Sequence, residues 1–135
     1  NNLKLRYRGN TIDTTKTANL KPVFIKDKGQ RKLSSPDNIV NKLSTIRDNF
    51  LFVNSSLRGR FEPKEMWDTA TIVDVYDTDL NSYLSSIYIY KVEEFKMKDM
   101  IVLGNNLYVI VGQNLQCYKL DKDLKTNQHK NISGR

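Results

Sequence analysis

The sequence predicts a mostly β (α+β) fold: a small antiparallel β-meander or barrel with one amphipathic helix, a basic N-terminal arm and a basic C-terminal tail. Three observations predict it. Short segments rich in Val, Ile, Tyr and Leu follow one another between residues 67 and 120, separated by turn residues. Only one segment has helical spacing, and cationic residues concentrate outside the strand-rich part. We therefore divide the chain into an arm at 1–34, a folded domain at 35–124 and a tail at 125–135.

Size and composition limit the possible classes of protein. The chain has 135 residues and a formal net charge of +7, which suits one domain with one core. Its apolar runs, such as residues 107–111, are far shorter than the roughly 20 residues of a membrane span. Its one cysteine, Cys117, cannot form an internal disulfide, and no signal-peptide pattern is visible. We expect a protein of a virion or of the cytoplasm that does not cross a membrane.

Residues 1–34 are predicted to form an extended, basic arm. Their apolar residues follow no helical period. Leu3, Leu5 and Tyr7 alternate with polar residues, and residues 22–25 form a second short apolar run. The alternative is therefore a pair of ordinary edge strands in the same domain.

Residues 35–50 carry the helix signal. Ser35 suits the N-cap, Pro36 the first helical position and Asp37 the first turn. Apolar residues then recur at steps of four, three and four, at Ile39, Leu43, Ile46 and Phe50. The spacing predicts an amphipathic helix over 36–50 that packs on the core.

The remaining regular structure is predicted to be strands. A short strand follows the helix at 50–53, and the meander strands are 68–76, 86–92, 100–103, 107–111 and 115–120. Gly and Asn tolerate positive φ, so tight turns are predicted at 103–107 and 112–114. The strands are apolar on both faces, as in a small closed barrel or a sheet covered by the helix on one face and a partner on the other.

Charge is divided unevenly along the chain. Residues 1–64, 65–124 and 125–135 carry net charges of +9, −5 and +3. The basic parts are thus candidate contact surfaces for the acidic bodies of neighbouring subunits or for nucleic-acid phosphates. The cations expected to contact such a partner are Lys4, Arg6, Arg8, Arg31, Lys32, Arg58 and Arg60.

The sequence offers no catalytic motif. His129 lies in the polar tail and Cys117 on a predicted strand, where a small buried hydrophobe fits, and together they cannot supply four zinc ligands. Asp74, Asp77 and Asp79 lack the Gly and distal Glu of a calcium loop, so we assign them to turn chemistry, with Asp74 facing solvent. We predict no enzyme, no cofactor and no bound metal.

An aliphatic–aromatic strand at 87–91 is followed by Asp99, Met100 and Ile101, then by Gly104, then by Tyr108, Val109 and Ile110. This pattern resembles the core hairpins of the small β-barrel head–tail joining proteins of tailed phages, over about 50 of the 135 residues. The resemblance implies a structural subunit of a ring, with arms reaching the adjacent subunit and the channel that carries DNA.

The charge pattern and the absence of a catalytic motif predict a non-enzymatic assembly subunit that packs against neighbouring protein subunits. The resemblance implies that it is a phage head–tail connector or neck component near DNA. The alternative is a nucleic-acid-binding small β-barrel, whose bases would stack on Tyr88, Tyr90, Tyr108 and Tyr118. A third hypothesis, an RNA-cleaving toxin domain, would require His129 or a tyrosine with a shifted pKa.

Overall fold

The computed structural model describes residues 3–12, 22–33, 39–58 and 62–121. These residues form nine antiparallel strands in three sheets and one short α-helix, so the mostly β class is confirmed. The strands are β1 (Pro22–Ile25), β2 (Gln30–Leu33), β3 (Asn41–Arg47), β4 (Phe50–Ser55), β5 (Ala70–Asp77), β6 (Ser82–Tyr90), β7 (Met97–Leu103), β8 (Asn106–Val111) and β9 (Asn114–Lys119). The helix α1 is Lys64–Thr69, and a 3₁₀ turn at Lys26–Lys28 joins β1 to β2.

Every strand pairs with a neighbour in sequence. The sheets are β1–β2, β3–β4–β5–β6 and β7–β8–β9. The last two sheets share one apolar core. Its most deeply buried side chains are Phe52, Val73, Val75 and Ile89 from one sheet and Leu107, Val109 and Val111 from the other, each with 0% of its surface accessible.

The predicted barrel is not closed. Strands β3 and β7 lie at the facing edges of the two sheets but form no ladder with each other. Instead the Val102 N–H donates to Thr45 Oγ1 at 3.2 Å, and the Met97 N–H donates to Thr71 Oγ1 at 3.2 Å. Threonine hydroxyls thus bond backbone groups that a closed barrel would pair with carbonyls.

The helix predicted over 36–50 is wrong. Residues 41–47 form β3, Asp48 and Asn49 form a two-residue turn, and Phe50 begins β4. Leu43 packs on the core, whereas the side chain of Ile46 is 58% exposed, because an extended chain sends these residues to opposite faces. The adjacent strand β4 pairs with this segment, and that pairing outweighs the helical spacing. The proposed cap at Ser35, Pro36 and Asp37 lies outside the described residues.

The strand-rich part follows the sequence prediction closely. The predicted strands at 50–53, 86–92, 100–103, 107–111 and 115–120 correspond to β4, β6, β7, β8 and β9. The turns at Gly104 and Gly112 are also confirmed, both with positive φ. The strand expected at 68–76 begins only at Ala70, because residues 64–69 form α1.

The N-terminal part combines extended chain with a hairpin. Residues 22–25 do form a strand, but it pairs with residues 30–33 rather than with either larger sheet. Residues 3–12 contain no strand. The Tyr7 hydroxyl donates to the Thr78 carbonyl, and the Ile12 N–H donates to the Tyr76 hydroxyl at 3.0 Å. This segment therefore contacts the turn end of β5. The tail at 125–135 lies outside the described residues.

Gly104 and Gly112 provide a matched pair for testing the turns. Both have positive φ, but a Cβ on Gly112 would lie 3.1 Å from atoms of Phe95, whereas a Cβ on Gly104 would meet nothing within 4 Å. We expect Gly104→Ala to cost about 1–2 kcal/mol from backbone strain and Gly112→Ala to cost about 1–3 kcal/mol more from the clash. Urea unfolding of both variants measures the difference. Equal losses would contradict the packing role of Phe95.

Arg47 provides a second test of the fold. Its side chain is only 9% exposed, its Nε lies 3.9 Å from Asp48 Oδ2, and its Nε and Nη1 have no hydrogen-bond partner among the described residues. The guanidinium lies over the Phe50 ring, 5.6 Å from the centroid. Because burial of a poorly paired charge is costly, we expect Arg47→Met to stabilise the fold by about 1–3 kcal/mol. The exposed Arg31→Met control should change stability by less than about 0.5 kcal/mol. A loss of stability in Arg47→Met, measured by thermal unfolding, would show that the guanidinium is well paired.

Candidate interaction surfaces

The first surface is the hairpin arm, defined as residues 22–33. Every side chain in its two strands is exposed except that of Ile25, which is half-buried. Val23, Phe24 and Leu33 are 50%, 59% and 62% exposed. An isolated two-stranded hairpin is marginally stable in water, so a partner that covers these side chains would stabilise it.

The second surface is the apolar face, the outer side of the three-stranded sheet. Register places Ile101, Tyr108 and Cys117 in one row across it, and Asp99, Ile110 and Leu115 in the next. Four of its aliphatic side chains are 40–72% exposed: Ile101, Leu103, Ile110 and Leu115. Their opposite neighbours on the same strands, such as Val102 and Val109, fill the core. The sheet is therefore apolar on both faces, and a contiguous exposed patch of this kind marks a contact site.

The third surface is the basic cleft, a cavity of about 390 Å³ at one end of the seam between β3 and β7. Lys42, Lys96 and Lys98 line it together with the indole of Trp67. The Lys96 ammonium donates to the Trp67 carbonyl and lies 5.2 Å from the centre of the indole ring. The side chain of Asn54, also in the lining, is held by a 3.2 Å bond from its Nδ2 to the Ile72 carbonyl.

Three cations act on the Asp68 carboxylate of α1. Asp68 on α1 pairs with Lys64, and this hydrogen bond holds the pKa of the Asp68 carboxyl below its ordinary value. The charges of Lys96 and Arg58 lower the same pKa further. Arg58 therefore lies within electrostatic reach of Asp68.

The cations predicted from sequence do not lie on one surface. Lys4, Arg6 and Arg8 are exposed on the segment that contacts the end of β5, and Arg31 and Lys32 are exposed on the hairpin arm. Arg58 is exposed and acts electrostatically on Asp68 of α1, and Arg60 is outside the described residues. The predicted cations therefore lie in separate parts of the molecule and do not form one contact surface.

The four tyrosines proposed as a stacking platform are also separated. Tyr88 and Tyr90 project from the outer face of the four-stranded sheet, opposite the side of the core residue Ile89. Tyr108 lies on the apolar face, and Tyr118 packs against the core. Burial raises the pKa of Tyr88 and of the nearby Tyr83, so neither phenol ionises more readily near neutral pH.

The acidic cluster divides into a buried part and a turn. Asp74 is 3% exposed rather than solvent-facing, because the outer face of the four-stranded sheet is itself covered at this point. Ser86 Oγ donates to Asp74 Oδ1 at 2.6 Å and lies 2.8 Å from the Tyr83 hydroxyl. Burial, and secondarily the charge of Glu62, raise the pKa of Asp74. Asp77 accepts the N–H groups of Asp79 and Leu80, which confirms its predicted role in a turn.

Other candidate chemistry is limited in the described part of the chain. No group of three or more His, Cys, Asp or Glu side chains that could hold a metal ion is found there. None of its helices has the length and apolar character that crossing a membrane requires. Cys117 is exposed on the apolar face rather than buried, because β9 turns its odd-numbered residues outward, and His129 lies outside the described residues.

Comparisons with known protein families, with curated proteins and with solved structures found no match to this chain. Function must therefore be argued from the surfaces themselves. Sequence reasoning missed the basic cleft, because Lys42 and Trp67 are far in sequence from Lys96 and Lys98 and come together only through the docking of the two sheets. The one local signal was the pair Lys96 and Lys98 on either side of the buried Met97.

The raised pKa of Asp74 predicts a specific pH dependence. Its ordinary value is 3.8, and a raised value in the folded state means that stability is greatest below that pH and declines as pH rises through the folded pKa. Asp74→Asn removes this titration and keeps an oxygen to accept from Ser86. We expect the variant to lose this decline of stability with rising pH. At neutral pH its free energy of unfolding should therefore be greater by up to about 1 kcal/mol.

Urea unfolding between pH 3 and 7 checks this expectation, with Asp79→Asn as the matched control for the loss of an exposed carboxylate. A neutral-pH loss of stability in Asp74→Asn with the profile intact would mean that the ionised carboxylate stabilises the fold.

Proposed function

We propose that this chain is a non-enzymatic assembly subunit that packs against neighbouring protein subunits, as the resemblance to phage head–tail joining proteins implies, with a virion as its location. The exposed apolar face carries the proposal. Large aliphatic side chains are exposed to solvent on this face, while the other side of the same sheet already packs in the core. They are Ile101, Leu103, Ile110 and Leu115. Burial of apolar area at roughly 25 cal/mol per Å² favours a second protein layer on this face.

The proposed occupant is the hairpin arm of a second copy. The arm exposes Val23, Phe24 and Leu33. Its residues 26–32 carry four cations and one carboxylate. The turn with Glu93 and Glu94 lies at the Gly112 end of the apolar face, because Phe95 of the same turn contacts Gly112. Asp99 adds a carboxylate in register with Ile110 and Leu115. Lys91 already pairs with Glu94 and Lys119 lies at the other end of the face, so Glu93 and Asp99 are the carboxylates that complement the cations of the arm. The arm and the face are also complementary in apolar character.

This contact joins two different surfaces, the arm of one copy and the face of the next. Such heterologous contacts build rings when the rotation closes and filaments when it does not. The separation of the four tyrosines counts against the alternative of a stacking barrel, since no single surface offers all four rings.

The experiment is multi-angle light scattering of the purified chain over a range of concentrations. We expect oligomers from the unaltered chain and monomers from Leu115→Lys, since a buried lysine would lose its hydration at the contact. Leu80→Lys is the matched control, because Leu80 is 66% exposed in the β5–β6 turn and away from the face. We expect it to assemble normally.

Two outcomes would refute the proposal. One is a chain that remains monomeric at high concentration. The other is an oligomer that survives Leu115→Lys as well as it survives Leu80→Lys. Removal of the arm's apolar contact by Phe24→Ser should reproduce the effect of Leu115→Lys if the arm is the occupant.

A further inference from the structure

We propose that the basic cleft binds the phosphate groups of a single-stranded nucleic acid, at a site separate from the assembly surfaces. Three lysines, Lys42, Lys96 and Lys98, line one cavity. None of the residues that line the cavity is an Asp or a Glu. Asp68 lies within electrostatic reach of Lys96, but the cavity wall itself carries three cations and no carboxylate. Such a wall attracts an anion, and a phosphodiester offers oxygens that ammonium groups contact.

The rest of the lining suits a nucleotide rather than a simple ion. The half-buried indole of Trp67 gives the cleft an aromatic surface, and base–aromatic stacking is tolerant of sequence. The contact with Lys96 orients the indole and its neighbouring cation together. A volume of about 390 Å³ lies in the range of small-ligand sites and accommodates a phosphate with part of its nucleoside.

Charge beyond the cleft favours a strand over a free nucleotide. Arg58 and Lys96 both act electrostatically on Asp68, so a further cation lies within electrostatic reach of α1, the helix that carries Trp67. A polyanion can contact these cations in succession, whereas a mononucleotide can contact only those within the cavity.

Trp67 is the only tryptophan of the chain, so its fluorescence reports on this cleft alone. We expect a short single-stranded oligothymidylate to change the Trp67 emission, with an affinity that falls with salt at a log–log slope of about −2 for three contacts. Lys42→Ala and Lys98→Ala should each weaken binding about fivefold at low salt and reduce the slope by about 0.7. Both lysines are exposed, so the fold does not depend on them.

Lys119→Ala, an exposed lysine at the end of β9 on the apolar face, is the control and should bind normally. Inorganic phosphate and thymidine monophosphate are tested in parallel and should bind far more weakly than the oligonucleotide. Three results would overturn the proposal: no change in emission with the oligonucleotide, an equal loss in Lys119→Ala and Lys98→Ala, or equal affinity for the mononucleotide. Measurement on Leu115→Lys separates this site from assembly, because that variant keeps the cleft and alters only the apolar face.

Discussion

The architecture depends on how β7 is held against the four-stranded sheet. Two threonine hydroxyls, one on β3 and one on β5, accept the backbone N–H groups of Val102 and Met97 where a closed barrel would supply carbonyls. These bonds fix the distance and offset of the two sheets while their shared core excludes water. A seam held by side chains leaves room at its end, and the basic cleft occupies that room.

The same arrangement separates two kinds of surface. The sheet that contributes β7 faces the core with one side and solvent with the other, and both sides are apolar. The cationic groups at the seam come from both sheets and from the loop before β7. The two proposed contacts, with a protein neighbour and with a polyanion, therefore involve different places on the molecule and would not compete for the same surface.

Sequence patterns predicted the parts of the fold that are set locally. The meander from β6 to β9 followed from β-branched and aromatic residues interrupted by glycines at positive φ, which only a few residues adopt without strain. The helix prediction was wrong because the spacing of Leu43, Ile46 and Phe50 fits two structures. These residues can form one stripe of a helix, or they can belong to β3 and the start of β4. Only the pairing of β3 with β4 decides between the two. Asp74 was misplaced for a related reason: alternation assigns its face but cannot show that this face is covered. The cleft could not be predicted, because it exists only once distant segments meet at the seam.

Because each strand pairs with a neighbour in sequence, the topology also bears on the order in which parts of the domain fold. Hairpin ladders close short loops, whereas the bond between Thr45 and Val102 joins residues 57 apart and the bond between Thr71 and Met97 joins residues 26 apart. Short loops cost less entropy to close and form faster. We therefore expect the two meanders to form before they dock, with the seam and its cleft the last part of the domain to acquire its shape.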